Sequence, residues 1–534
     1  MSTWKKTLIL LTVLTCLSVM TFHTVENRYL VAGDNIYEQI KRFMEVFQLV
    51  RQYYVEDIDS EEVVTGAIKG MLEQLDPHSV YIESKKLKKI DEQFDGHYHG
   101  IGIEFVIKDK VLTIISPIAG SPSEALGLRP GDMIIKIEGH SAYGITEQEV
   151  FNKLRGPKGS RVDVTIKRPG LDDPFDVTII RDKIPIYSVM ASFIIEKDIG
   201  YIYLGRFAKT TSEELEGALL DLENQGMKKL LLDLRGNSGG FLNQAIEVAD
   251  KFIEGKQKIV YTRGRRPETN DDFYSSDRTT HPHFPIIILI DKGSASASEI
   301  VAGAVQDLDR GLIVGETSFG KGLVQNQIPM KDGSALRLTT ARYFTPSGRL
   351  IQRPYDNGIM DYYEDAYDDV DPNSIADSTK DKPVFYTLAG REVYGGGGIT
   401  PDIKIKSKRL SKVVTELISK RAFFEFGSQY ATQHKYLADD EKAFENFEID
   451  QKVMDQFKKS IKHFNLKISD KDIQDNFDEI KVFIKSEIAR NLWDSKKYYQ
   501  YRRMGDTQVN EALKYFPQAA KIAGIAMNQD IQVR

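Results

Sequence analysis

The apolar run Ile286-Ile287-Ile288-Leu289-Ile290 leads through Gly293-Ser294-Ala295-Ser296-Ala297-Ser298-Glu299 into a second apolar run, Ile300-Val301-Ala302-Gly303-Ala304-Val305. Five apolar residues without polar alternation are what a strand buried on both faces requires, and the run after the serines has helical length and spacing. A strand, a small-residue turn and a helix make the repeating unit of an α/β sheet. The unit recurs upstream: strands expected at Ile199 to Leu204 and Lys229 to Leu234 alternate with helices expected at Ser212 to Gln225 and Leu242 to Phe252. Residues 184–408 therefore predict an α/β core in which Ile286 to Ile290 is central and opens into the serine turn.

Two segments carry chemistry. Ser296 is followed 25 residues on (321 − 296) by Lys321, within Phe319-Gly320-Lys321-Gly322-Leu323-Val324-Gln325. No histidine is placed beside either in sequence, so an activated serine here has lysine as its base. A lysine amine serves only when unprotonated. Lowering it from about 10.4 to near 7 takes about 4 kcal/mol, which burial in an apolar pocket supplies. The glycine-rich, apolar neighbours of Lys321 suit such a pocket, and on a strand Lys321 and Gln325, four apart, share a face.

A plainer role stands beside this one. Ser296 and Glu299 have the S-x-x-E spacing of a helix capping box, with Ser294 or Ser298 as alternative caps. The two roles compete only partly, since a helix amino terminus also presents free N–H groups that suit an oxyanion. Gly315-Glu316-Thr317-Ser318-Phe319-Gly320-Lys321 fits the G-x-x-x-x-G-K part of a phosphate-binding loop. Gly322 then stands where Ser or Thr would meet magnesium, and Val324, Asn326, Ile328 and Met330 continue as a strand where a helix is needed.

Taken in order, Gly100-Ile101-Gly102-Ile103-Glu104, Gly131-Asp132, Leu232-Asp233-Leu234-Arg235-Gly236-Asn237-Ser238-Gly239-Gly240, the serine and lysine segments, Tyr343-Phe344-Thr345-Pro346-Ser347-Gly348-Arg349 and Gly398-Ile399-Thr400-Pro401-Asp402 closely resemble the carboxyl-terminal processing peptidases, or tail-specific proteases. The resemblance covers residues 36–406. It implies a PDZ domain beside a serine-lysine peptidase core of crotonase-like α/β type, and a serine endopeptidase that grips the free carboxyl terminus of unfolded or tailed protein substrates and cleaves near it. By resemblance, Ser296 is the nucleophile, Lys321 its base and Gln325 the orienting third member. Backbone N–H groups of Ala297 and of Gly239 or Gly240 form the oxyanion hole, and Gly100-Ile101-Gly102-Ile103 is the carboxylate-binding loop. No metal or other cofactor is implied. Two alternatives remain: a PDZ adaptor or chaperone without catalysis, against which the complete Ser296, Lys321 and Gln325 set argues, and a histidine-type serine hydrolase. Asp307, eleven residues past the serine (307 − 296), reads first as a helix residue.

The rest of the chain divides around this core. Residues 1–30 are a signal or anchor segment: Lys5 and Lys6 precede an apolar run from Leu8 to Phe22, shorter than a comfortable membrane span, with no A-x-A cleavage site after it. That predicts export across, or anchoring in, the cytoplasmic membrane of a bacterial envelope, a periplasmic location, and membrane contact through this segment alone. Residues 31–95 form a helical arm, in which Ile40, Phe43, Phe47 and Val50, then Val63, Ile68, Met71 and Leu75, recur at helical spacing until Leu75-Asp76-Pro77-His78-Ser79 breaks it. Residues 96–183 alternate short strands and turns around a helix near Glu147 to Leu154, as a PDZ domain does. Asp356 to Asp381, acidic and Tyr-rich, reads as a solvated surface insertion. Residues 409–534 are charged and helical in pattern, and could cover the core, pair subunits or bind a partner. A homodimer through the arm or this tail is an expectation of the same kind. The formal net charge of −6 gives no reason to expect nucleic-acid binding, and the single cysteine, Cys16, leaves no disulfide or cysteine cluster. The scattered histidines, His97 with His99 and His281 with His283 included, read as loop or strand residues.

Overall fold

Asp59 opens the helix Ser60–Glu73, its carboxylate accepting the Glu61 and Glu62 N–H groups at 2.8 and 3.3 Å. This helix follows another over 36–53 in a computed structural model that describes residues 36–526 other than 279, 357, 368–381 and 409. The expected targeting segment lies outside the described residues. The chain divides after Leu75 into two units, each taken by itself. In the first, the apolar positions of the arm are largely exposed, Ile40 by 57%, Phe43 by 48% and Met71 by 62%.

In the second unit, strand His97–Gly100 pairs antiparallel with Asp182–Pro185, so the chain enters and leaves the residues between them at one neck. Between them runs a sheet ordered Ile103–Lys108, Val111–Pro117, Met133–Ile137, Arg161–Lys167, Phe175–Ile180. Strict alternation builds it: in Arg161–Lys167, Val162, Val164 and Ile166 are buried while Arg161, Asp163 and Lys167 face solvent. A Thr146 and Glu149 capping box starts the helix Glu147–Leu154, which seals this small core with Val150 and Leu154.

The α/β core is a six-stranded sheet ordered Val189–Glu196, Ile199–Leu204, Lys229–Asp233, Ile286–Ile290, Leu312–Gly315, Ile403–Lys404. Its first pair is antiparallel and the others parallel, and Ile286–Ile290 is fully buried in the middle. Helices Thr211–Asn224, Leu242–Asp250 and Ala297–Asp307 cover one face, against Leu230, Leu232, Ile286, Ile288 and Ile290. The other face carries Leu231, Ile287 and Leu289, and residues from Thr507–Ala512 and Phe516–Ile522, among them Val509 and Phe516, cover it. Of the three roles open to the tail, covering the core is the one its last helices fill. A second sheet, with Ala335–Phe344 paired to Val80–Ile82, Lys258–Gly264 and Leu323–Pro329, carries the lysine segment.

Before those last helices the tail builds its own core. Phe423, Phe426, Phe457 and Phe483 stack and cross, with Phe423 and Phe483 centroids 4.9 Å apart. The whole is the α/β multidomain architecture the sequence predicts: helical arm, PDZ domain, peptidase core and helical carboxyl-terminal region. Among the described residues no helix is long and apolar enough to cross a membrane.

Candidate active site

Ser296 sits where the chain turns from the central strand into the helix Ala297–Asp307, with φ +56° and ψ −112°. That conformation is costly for a side chain with a Cβ, and persists only where the surroundings impose it. The surroundings here are the Leu234–Gly240 turn. Ser294 Oγ donates to the Leu234 carbonyl at 2.8 Å, Ser298 Oγ to the Asn237 carbonyl at 2.8 Å, and the Ala295 N–H to that same carbonyl at 3.0 Å. The two serines proposed as alternative caps thus stitch turn to turn. The Glu299 arm of the capping box is formed, its Oε2 accepting the Ser296 N–H at 2.7 Å.

Glu299 does more than cap. Fully buried, it accepts the Ser296 and Lys321 N–H groups on one oxygen, at 2.7 and 2.9 Å, and the Gly320 N–H and Ser318 hydroxyl on the other, at 2.7 and 2.5 Å. Burial pushes its carboxyl up, against four hydrogen bonds that favour the ionised form. The buried Tyr343 hydroxyl makes a second bridge, 2.7 Å from the Lys321 carbonyl and 3.2 Å from that of Ser296. Two buried side chains therefore hold the serine turn and the lysine segment together.

Lys321 Nζ donates to Gln325 Oε1 at 2.8 Å. Burial, reinforced by the Arg337 charge, pulls the lysine down to about 8. The Gln325 amide in turn donates to the His78 carbonyl. His78 lies in a turn built by Asp76, whose Oδ1 accepts the His78 and Ser79 N–H groups at 2.8 and 2.9 Å. The imidazole Nε2 is 2.9 Å from the Tyr362 hydroxyl, and burial followed by the Lys321 charge lowers it to about 4, so it is neutral near pH 7. Tyr362 belongs to the helix Ile359–Tyr367, inside the stretch expected to be a solvated insertion. It is 2% exposed, and its ring meets Phe319 edge-on with centroids 5.7 Å apart. This part of the insertion is packed onto the lysine segment; residues 368–381 lie outside the described residues.

Gly239 closes the site on the serine side. A Cβ there would lie 2.8 Å from Ser296 Cβ and 2.9 Å from the Ala297 nitrogen, at φ +97°. The Gly239 N–H is already bound by Asn237 Oδ1 at 2.9 Å. The Phe207 N–H takes the Gly239 carbonyl at 3.1 Å, so across the trans peptide the Gly240 N–H points the opposite way. The Ala297 N–H is the first of its helix, one of the four without an intrahelical acceptor.

Ser296, Ala297, Gly239, Lys321 and Gln325 are thereby brought together, with Gly240 next in chain. Gly100, Ile101, Gly102 and Ile103 stand elsewhere, at the PDZ neck. There Ser123 Oγ donates to the Ile101 carbonyl at 2.7 Å and Ser121 Oγ to that of Gly102 at 2.9 Å, which turns the Gly102 and Ile103 N–H groups away from those serines. Asp307 is structural: it pairs with the buried Arg349 at 2.6 Å. No cluster of His, Cys, Asp and Glu among the described residues could hold a metal ion; His281 is bracketed by Glu223 at 2.7 Å and Glu216 at 3.3 Å. The positioning residues that sequence reasoning missed are Tyr343, Asn237, His78 and Tyr362. Tyr343 and Asn237 lie inside the motifs that carry the resemblance, and His78 inside the Leu75 to Ser79 segment that breaks the arm.

Comparison with known proteins agrees with this architecture. Residues 198–361 match peptidase family S41, 113–168 a PDZ domain, 18–86 the N-terminal domain of the activating protease CtpB, and 413–494 a family of unknown function. The carboxy-terminal-processing protease of Bartonella bacilliformis is 43% identical over 323 residues, 60% of this chain and 74% of that one. Carboxy-terminal processing protease CtpB of Bacillus subtilis is 39% identical over 313 residues, 58% of this chain and 64% of that one. Among solved structures, a photosystem II D1 C-terminal processing protease is 26% identical, covers 68% of this chain and 92% of that one, and has a TM-score of 0.35. A serine-type peptidase with a PDZ domain is the class that these matches define. The chain belongs to the carboxy-terminal processing proteases of peptidase family S41.

Proposed function

We propose that this serine peptidase works by a Ser296–Lys321–Gln325 mechanism and selects substrates by their free carboxyl terminus. The observation that carries the reading is the Lys321 amine: half-buried, lowered to about 8, and aimed by Gln325 at 2.8 Å. An amine so placed is unprotonated often enough near neutral pH to act as base. Lys321 Nζ takes the Ser296 Oγ proton as Oγ bonds to the scissile carbonyl carbon. The N–H groups of Ala297 and Gly240 receive the oxyanion, Gly240 in preference to Gly239, whose N–H is occupied. As the C–N bond breaks, Lys321 returns the proton to the leaving amine, and a water deprotonated by the same lysine then releases the acyl group from Ser296. In the PDZ domain, the inverted Gly102 and Ile103 N–H groups suit a terminal carboxylate, and the edge strand Ile103–Lys108 suits pairing with the substrate chain. The Lys5, Lys6 and Leu8 to Phe22 pattern supports an envelope location, and the exposed apolar stripe of the arm a homodimer through its helices.

The test is cleavage of an unfolded reporter with a free apolar carboxyl terminus, beside the same reporter amidated. Ser296→Ala is expected to lower turnover on the order of 10⁶-fold and Lys321→Ala to abolish it, with circular dichroism unchanged. Turnover that survives both changes removes the mechanism, and equal cutting of the amidated reporter removes carboxylate recognition.

A further inference from the structure

The helical region at residues 412–494, which overlaps the stretch matching a family of unknown function, faces the PDZ domain across a cleft of about 2150 Å³. That is more than twice the roughly 300–1,000 Å³ of a small-molecule pocket, and fits a length of polypeptide. One wall is the PDZ edge. Among the described residues Ile103–Lys108 pairs only with Val111–Pro117, which leaves its other backbone edge open, and its Phe105 ring meets that of Phe151 edge-on at 5.5 Å. The other wall is the helix Ala422–Gln433. Its inner face buries Phe423, Phe426 and Tyr430, while Gln429 and Thr432 are exposed and line the cleft.

The two walls are tied at both ends of the edge strand. Lys108 Nζ meets Glu425 Oε1 at 2.7 Å; at the other end Glu104 accepts Ser495 Oγ at 3.4 Å and faces Arg490 at 3.9 Å. Beside them Gly131 closes on Ser428, whose hydroxyl would lie 3.9 Å from a Cβ built on the glycine. The opening is thus bounded along an edge strand of the PDZ sheet. Phe105 and Phe151 stand on the PDZ side and Phe424, Phe464 and Trp493 on the helical side, where Lys420, Arg421 and Lys435 join the uncharged Gln429 and Thr432. Rings on both walls suit the apolar side chains of an extended chain, and the polar groups between them its backbone.

We propose that residues 412–494 form the second wall of a composite peptide cleft that holds the extended, apolar-bearing segment just upstream of the substrate's free carboxyl terminus. The helical region then serves as a specificity element of the peptidase. The proposal rests on the reading that the PDZ domain grips that terminus.

The test uses the full chain carrying Ser296→Ala, so that peptides bind without being cut. Two fluorescent peptides end in the same free apolar residue: one of about two residues, which reaches only the Gly100–Ile103 end of the strand, and one extended upstream to six residues, the length of the edge strand. Gln429→Trp, and separately Thr432→Tyr, fill the cleft from exposed positions; circular dichroism checks each fold, and either variant alone suffices. The extended peptide is expected to bind about tenfold more weakly to the filled cleft while the short one binds as before. Loss of neither peptide, equal loss of both, or tighter binding of both to the filled cleft overturns the proposal, the last by making the helical wall an obstruction. Amidated versions keep the two readings apart: if amidation weakens neither peptide, carboxylate recognition fails, whatever the variants do.

Discussion

At the scale of single residues, the site is a problem in keeping one amine neutral and one serine strained. With Lys321 lowered to about 8 by burial and by Arg337, kcat/KM should climb as pH rises through about 8, because the proposed mechanism uses the deprotonated amine. A profile flat from about pH 6 to 9, or rising near the ordinary histidine value of about 6.5, would remove the lysine from the role of base. Glu299 raises Lys321 electrostatically while fastening it to Ser296. Glu299→Gln should therefore move that rise to lower pH. It should also cost about 2–4 kcal/mol in denaturant unfolding, since the amide NH₂ cannot accept from the donors that one carboxylate oxygen served. The sequence showed Ser296, Lys321 and Glu299 through their spacing, but gave Glu299 only the local duty of a cap. Its contacts with Gly320 and Lys321 cross 21 and 22 residues, a range at which spacing carries no signal.

At the scale of elements, reading succeeded where periodicity was dictated by one uniform surrounding. Ile286–Ile290 is apolar throughout because both its faces are covered, and the serine turn follows from it. Reading fell short where the surroundings come from afar. The helix Ile359–Tyr367 looked like part of an acidic, solvated insertion, yet its Tyr362 is buried by His78, 284 residues away, and by Phe319. That contact steadies the turn whose carbonyl holds Gln325. Tyr362→Phe should keep the ring packing and lose the hydroxyl's bonds with His78 at 2.9 Å and the Gln352 amide at 3.3 Å. The expected result is a several-fold fall in kcat with KM and unfolding midpoint little changed, since an ordinary hydrogen bond is worth about 1 kcal/mol. A change in KM alone would assign Tyr362 to substrate binding instead. Gly240 shows the same dependence: a Cβ there would fall 1.9 Å from the Phe207 carbonyl oxygen, so Gly240→Ala must displace the turn behind the serine. Cleavage should fall by about 100-fold or more while Ser296 stays intact.

At the scale of the whole molecule, the carboxyl-terminal region is fastened to the back of the active-site turn. Asp233 is fully buried and receives the Tyr201 hydroxyl at 2.7 Å and both arms of Arg235, whose remaining nitrogen reaches Gln508 at 2.7 Å and Asp506 at 3.0 Å. Burial alone would raise Asp233; the Arg235 and Arg503 charges overcome it and hold the carboxyl at about 2, below the ordinary 3.8. A carboxyl lowered on folding stabilises above its unfolded value and stops doing so as pH falls through the folded one. This group's share, on the order of 2 kcal/mol, should therefore be complete above about pH 4 and vanish toward pH 2. Acid titration of the unfolding free energy, beside Asp233→Asn, measures it; an identical acid slope in the variant would remove the assignment. The sequence placed Asp233 and Arg235 in a motif but could not join them to a tail that read only as charged and helical. Residues 507–522 have a further consequence. Every other strand and helix of the parallel sheet leaves the ribosome before them, yet they cover its second face and bracket Arg235. A nascent chain therefore carries serine, lysine and glutamine long before the sheet beneath them is sealed. A chain that stops short of residue 507 therefore lacks both the cover on that face and the Gln508 contact that holds Arg235 behind the Ser296 turn.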